Sequence, residues 1–223
     1  MKRQFFILTA IAGFSVLVGL GIWQWERRAW KQAMLTEIDA GLASPPVAIN
    51  NAANKTLAWH PVRAYGSWAT EGLIHVAPVT LLGKVGKVYA APFRLEDGSI
   101  VAVELGWAGN QLNGITLPET VKSIEGVLIP ARKPSYFTPD NQPPNNWYWL
   151  DPIALAQNAG LNSAKAAPLI LRLTQSPEGL TTRPAKPDIP DNHLQYAFTW
   201  FGLAIAWAVI GFLALRKIGR AHV

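Results

Sequence analysis

Two stretches without an ionisable side chain constrain this chain more than any other feature. "QFFILTAIAGFSVLVGLGIWQW" runs from Gln4 to Trp25, and a second uncharged run extends from Leu194 to Leu215. The hydrocarbon core of a bilayer is about 30 Å thick and takes roughly 20 apolar residues as a helix. Each run is long enough to span it. Lys2 and Arg3 precede the first run as they would precede a signal peptide, but the apolar stretch is too long for one and lacks a small-x-small cleavage site before Trp23-Gln24-Trp25. It reads as an anchor.

The 223 residues carry a formal net charge of +6. Lys2, Arg3, Arg216, Lys217 and Arg220 lie at the two ends without an acid among them, while the other basic residues and all 14 acids lie between the runs. The intervening segment is therefore nearly neutral and lacks the clustered basic face that a nucleic-acid partner requires. The charge bias places both termini in the cytoplasm. Residues 26–195 are then expected outside it, in the periplasm of a bacterium with the spans in its inner membrane, or in the intermembrane space of a mitochondrion. The absence of cysteine excludes disulfides and thiolate metal sites, and two methionines, Met1 and Met34, make a poor soft-ligand copper carrier.

All 17 prolines fall between Pro45 and Pro190, outside both runs. After Trp25, "ERRAWKQAMLTEIDAGL" has helix-forming composition and stops at Gly41, so the first helix is expected to continue beyond the membrane. "ASPPVAINNAAN" follows as a linker. From Leu57 short strands take over. "KVYAAPFRLEDGSIVAVELGW" is the clearest hairpin, with Asp97-Gly98 supplying the positive-φ turn. "HPVRAYGSW", "LIHVAPVTLL", "VKSIEGVLIP" and "APLILRLTQ" add further strands. One short helix interrupts them, capped by Asp151, opened by Pro152 and closed at Gly160. The expected architecture is a membrane protein: two transmembrane α-helices flanking a β-rich, small barrel-like extracytoplasmic domain with a short helical insertion. Its parts are residues 1–3 (cytoplasmic), 4–25 (first span), 26–56 (helical extension and linker), 57–190 (β-rich domain), 191–215 (second span) and 216–223 (cytoplasmic tail).

Side chains with chemistry gather at the membrane edge. Trp23, Arg27 and Trp30 share a helix face by their spacing, as do His193, Tyr196, Trp200 and Trp207. Aromatic belts and snorkelling cations explain many such faces. A histidine at a helix N-terminus is less ordinary. Helix N-termini favour neutral imidazole, the form that binds a metal ion or haem iron. Aligning the two spans at their midpoints sets His193 level with Glu26 and Arg27. Iron on His193, a ring resting on Trp23, Tyr196 and Trp200, and acidic propionates near Arg27 or Arg28 form one candidate cofactor site. His60 and His75 fall on separate strand candidates without metal-ligand spacing, and His222 belongs to the tail. No Gly-x-Ser-x-Gly elbow, phosphate loop or cysteine nucleophile occurs, so no enzymatic activity is expected.

Taken together, the end motifs resemble those of the surfeit-locus family of cytochrome c oxidase assembly proteins. Leu20, Gly21, Trp23, Gln24, Arg27 and Lys31 match that family's pattern at the first span, and "NHLQYAFTWFGLA" is similar to its pattern at the second. "PVRAYGSW", "YAAPFRLEDG", Gly106-Trp107, "EGVLIP" and "WYWLDP" follow in the family's order between them. Leu105 stands where the family usually has arginine, and Gln195 where it has glutamate. The resemblance implies a respiratory-chain chaperone that binds haem a and presents it to the catalytic subunit of haem–copper oxidase, with His193 as the axial ligand and with Trp23 and Arg27 shaping the site. Haem b is the other candidate cargo, and haem a synthase a further partner. A cofactor-free membrane scaffold for an oxidase subunit is the alternative.

Overall fold

A computed structural model describes residues 2–49, 57–109, 115–117, 123–132, 134–144 and 146–220. His222 and the second half of the expected linker lie outside the described residues. The chain divides into two units, Met1–Glu37 with Asp188–Val223, and Ile38–Pro187.

The first unit is a pair of helices. α1 runs unbroken over Lys2–Leu42 and α3 over His193–Arg220. Both are long and apolar enough to cross a membrane, over Gln4–Leu42 and His193–Lys217. Most of their apolar side chains face outward, among them Phe5, Leu8, Ile11, Ile205, Ile210 and Leu213, as expected of helices solvated by lipid. They run antiparallel, and small residues let them approach. A Cβ on Gly13 would lie 2.8 Å from the Trp207 ring, and one on Gly21 would lie 2.5 Å from that of Phe201. Ala197 and Ala204 are buried in the same seam. The Trp207 indole N–H donates to the Ala10 carbonyl at 2.9 Å, joining the N-terminal part of α1 to the C-terminal half of α3. Lipid gives apolar helices little hydrophobic reason to associate, so close packing and such polar links carry the pairing.

The second unit is a closed sheet. Its strands are β1 (Val47–Ile49), β2 (Pro61–Trp68), β3 (Ile74–Leu81), β4 (Lys84–Leu95), β5 (Ile100–Gly109), β6 (Ser123–Pro130) and β7 (Ala166–Leu173). They are arranged β1-β2-β6-β7-β5-β4-β3, and an added β2–β4 pairing closes the central five into a barrel. Closure depends on the length of β4. Its first part pairs with β3, Gly86 to Arg94 pair with β5, and its end, Phe93 to Leu95, turns onto Trp68 to Gly66 of β2. Gly66 permits that approach, since a Cβ there would stand 1.9 Å from the Arg94 carbonyl oxygen. The β4–β5 hairpin turns at Gly98 with φ 81°, and Asp97 accepts hydrogen bonds from the Ser99 backbone and hydroxyl.

Alternation along the strands sorts side chains into two clusters. Val62, Phe93, Val101, Val103, Leu105, Leu128 and Leu171 fill the barrel. Ile74, Val88, Trp107, Ile129, Ile170, Trp147 and Leu155 form a second cluster on its outer face. The latter two come from the covering layer, in which α2 (Pro152–Asn158) is capped by Asp151, whose carboxylate accepts from the Ile153 and Ala154 N–H groups. With both faces covered, β5 is buried over almost its whole length, as the near-continuous apolar run "IVAVELGWAG" requires. Leu105 is fully buried inside the barrel, so the position at which the family has arginine is apolar here. On the outer face, Glu104 takes Arg172 at 2.9 Å and Arg183 at 3.0 Å, and its charge is thereby balanced where water is largely excluded.

One expectation needs correcting. β1 falls inside the stretch read as a linker and pairs in parallel with β2, Val47 to Ile49 against Val62 to Ala64. Three residues are too few to show alternation, and of them only Ile49 is buried. The strand owes its existence to the waiting edge of β2.

Candidate functional site at the head of the helix pair

The site lies within the helical unit, where α3 begins. The Asn192 carbonyl accepts the Tyr196 N–H at 3.1 Å, which makes His193 the first residue of the helix. The chain arriving there is fixed from α1. The Lys31 side chain is buried, only 5% exposed, and its ammonium donates to the Pro190 carbonyl. Gln24, two turns further down α1, places Oε1 2.8 Å from Nδ1 of His193. His193 itself is half-buried.

These contacts divide the motif of the first span by helix face. Gly21 and Gln24 meet α3 and Lys31 meets Pro190 in the segment leading into it, whereas Trp23 is 54% exposed and Arg27 is also open. Trp23 and Arg27 lie on the same side of Gln24 on the helical wheel, and Tyr196 and Trp200 lie on the corresponding side of His193. In an antiparallel pair the corresponding sides coincide. All four side chains therefore border one flank of the pair, with Arg27 outermost, Trp23 near the level of His193, and Tyr196 and Trp200 successively deeper. Tyr196 is 51% exposed and Trp200 is partly covered. The Arg27 guanidinium stacks on Trp30, 4.1 Å from the ring centroid, and this contact restrains the cation at the outer rim.

The midpoint alignment was displaced. His193 meets Gln24, not Glu26 or Arg27. The register is fixed by large rings seated over glycines, Trp207 over Gly13 and Phe201 over Gly21, and a midpoint rule ignores such notches. Gln24 and Lys31 are the residues whose part the sequence reading missed. Their spacing of seven puts both on one stripe of α1, which was the available signal. Trp207, assigned to the His193 face, is engaged with Ala10 and Gly13 in the seam.

His60 and His75 stand apart in the β unit. Nδ1 of His60 lies 3.0 Å from the Ala58 carbonyl. Burial, and secondarily Lys87, hold the His75 imidazole below its ordinary pKa. Among the described residues no three His, Cys, Asp or Glu gather closely enough to hold a bare metal ion.

Fold and site together define a class: a β-barrel protein with two terminal helices able to cross a membrane, and with an imidazole, aromatics and a cation at the head of the helix pair. The sequence matches the SURF1 family over residues 11–205. A SURF1-like protein of Rickettsia felis is 30% identical over 228 residues, covering 95% of this chain and 97% of the relative. One from Rickettsia prowazekii is 29% identical over 225 residues, covering 94% and 88%. Surfeit locus protein 1 of Xenopus tropicalis is 28% identical over 229 residues, covering 90% and 71%. The chain belongs to the SURF1 family, the surfeit-locus family of oxidase assembly factors that its end motifs resemble.

Proposed function

We propose that this chain is a non-enzymatic chaperone that binds haem a at the head of its helix pair and delivers it to the catalytic subunit of a haem–copper oxidase. Haem b is the other cargo the chemistry would accept. The reading places both termini in the cytoplasm, the barrel across the membrane from them, and haem a synthase as the source of the cargo. The observation that carries it is the shared flank: His193 with Trp23, Arg27, Tyr196 and Trp200 beside it. The donor set fits the cargo. A bare metal ion needs several protein ligands, whereas a haem brings four ring nitrogens and requires one imidazole. Half-exposed indole and phenol rings suit a flat apolar macrocycle at the membrane surface, and Arg27 suits its carboxylates. Both matches depend on the chain's own side chains, and both favour a surface-held cargo that can be released.

The test is complementation of a strain lacking its own factor. Wild type is expected to restore the haem a absorption of membranes, while His193→Gln, expressed equally, restores no more than about a tenth of it. Full restoration by His193→Gln would favour the cofactor-free scaffold, because glutamine keeps a polar group at the helix start but is a poor iron ligand.

A further inference from the structure

The atom that Gln24 turns toward His193 is an oxygen, at 2.8 Å from Nδ1. An amide oxygen can only accept, so the proton between the two atoms belongs to Nδ1. A neutral imidazole protonated at Nδ1 carries its lone pair on Nε2. We propose that Gln24 is a positioning residue: it locks His193 in the Nδ1–H tautomer and holds the ring so that Nε2 is the nitrogen offered to an iron. This rests on the haem-binding reading for its purpose, but not for its geometry.

Three further features support the assignment. The contact is made between the two helices, and the glutamine is itself partly buried, so water competes poorly for the acceptor. Gln24 sits on the stripe of α1 that includes Gly21 and Lys31, whose partners are the Phe201 ring and the Pro190 carbonyl. These contacts lie on either side of Gln24 and limit how far the amide can move from the imidazole. Last, a histidine that ligates a metal through one nitrogen commonly donates from the other to a carbonyl or carboxylate, which fixes the ring and raises its basicity, and losing that partner lowers metal affinity about 10–100-fold. Gln24 supplies that carbonyl.

The opposite amide orientation would point an N–H at Nδ1, move the ring proton to Nε2 and abolish the lone pair a ligand needs. The two arrangements are therefore opposite in consequence and separable by experiment.

The experiment uses full-length protein in detergent with ¹⁵N-labelled histidine, compared among wild type, Gln24→Leu and Gln24→Glu, with His193→Gln identifying the resonances. Imidazole ¹⁵N shifts are recorded on haem-free protein at a pH of about 8, and hemin is then titrated in. The expected result is Nδ1–H in wild type, a mixed tautomer in Gln24→Leu with hemin bound at least about tenfold more weakly, and Nδ1–H with affinity restored in Gln24→Glu. An Nε2–H tautomer in wild type, or one unchanged tautomer and affinity across all variants, would overturn the assignment. If the tautomers behave as expected while wild type binds no hemin, the lock stands and the haem reading falls.

Discussion

His75 stands on β3 opposite Tyr89, their ring centroids 6.0 Å apart, and its imidazole is held below the ordinary value by burial and then by Lys87. As pH falls through about 6.5, the unfolded chain therefore takes up a proton that the folded ring resists. The unfolded state binds more protons, so stability falls with falling pH from there down through the folded value. His75→Phe keeps the ring contact and removes the titration. Wild-type Tm should drop between pH of about 7.5 and 5.5 by about 1–2 °C more than that of the variant, a small effect because the ring is partly exposed. Equal slopes in thermal denaturation would exclude it. At the same scale, composition and spacing singled out His193, Trp23 and Arg27, because an imidazole and a cation beside apolar runs are conspicuous. Gln24 and Lys31 stood in the motif of the first span without a part of their own: neutral amides and basic side chains are common at membrane edges, and only the packed pair reveals which of them face inward.

At the scale of elements, hairpin and caps were legible because local chemistry determines them. Asp97-Gly98 turns β4 into β5, and Asp151-Pro152 opens α2. β1 and the helix register were not legible, since both depend on a distant surface. The glycines of α1 show the difference directly. Gly21 lies under Phe201, whereas nothing stands within 4 Å of a Cβ on Gly19. The chain has no cysteine, so a paired substitution can report on the seam. A Cβ on Gly211 would lie 3.7 Å from that of Ala10, close to the separation of a disulfide. Ala10→Cys with Gly211→Cys should therefore oxidise to an intramolecular crosslink. Adding Gly21→Val should cut the yield at least about threefold, and adding Gly19→Val should leave it unchanged. Equal yields would show that the Phe201 notch does not hold the helices in register.

For the molecule as a whole, helix pair and barrel are two compact units, and the residues proposed to hold the cargo lie in the first. The barrel has its own interior core and a covered outer face, so its stability does not depend on the residues assigned to cargo. The helix pair meets through small side chains and a few polar links, which on the proposed reading suits a site that releases its cargo. The β-rich character of the segment between the spans followed from alternation and turn residues, but closure did not. It depends on β4 being long enough to reach β2, and strand pairing of that range leaves no local mark. The central claim is that haem rests on the flank of His193, and one measurement addresses it most directly. Wild type, His193→Ala and Gly19→Ala are purified in mild detergent from cells that make haem a, and the haem is extracted and quantified against protein. Haem a at a substantial fraction of one per chain in wild type and Gly19→Ala, falling at least about tenfold in His193→Ala, is the predicted result. Equal haem in all three, or none in any, would contradict the account.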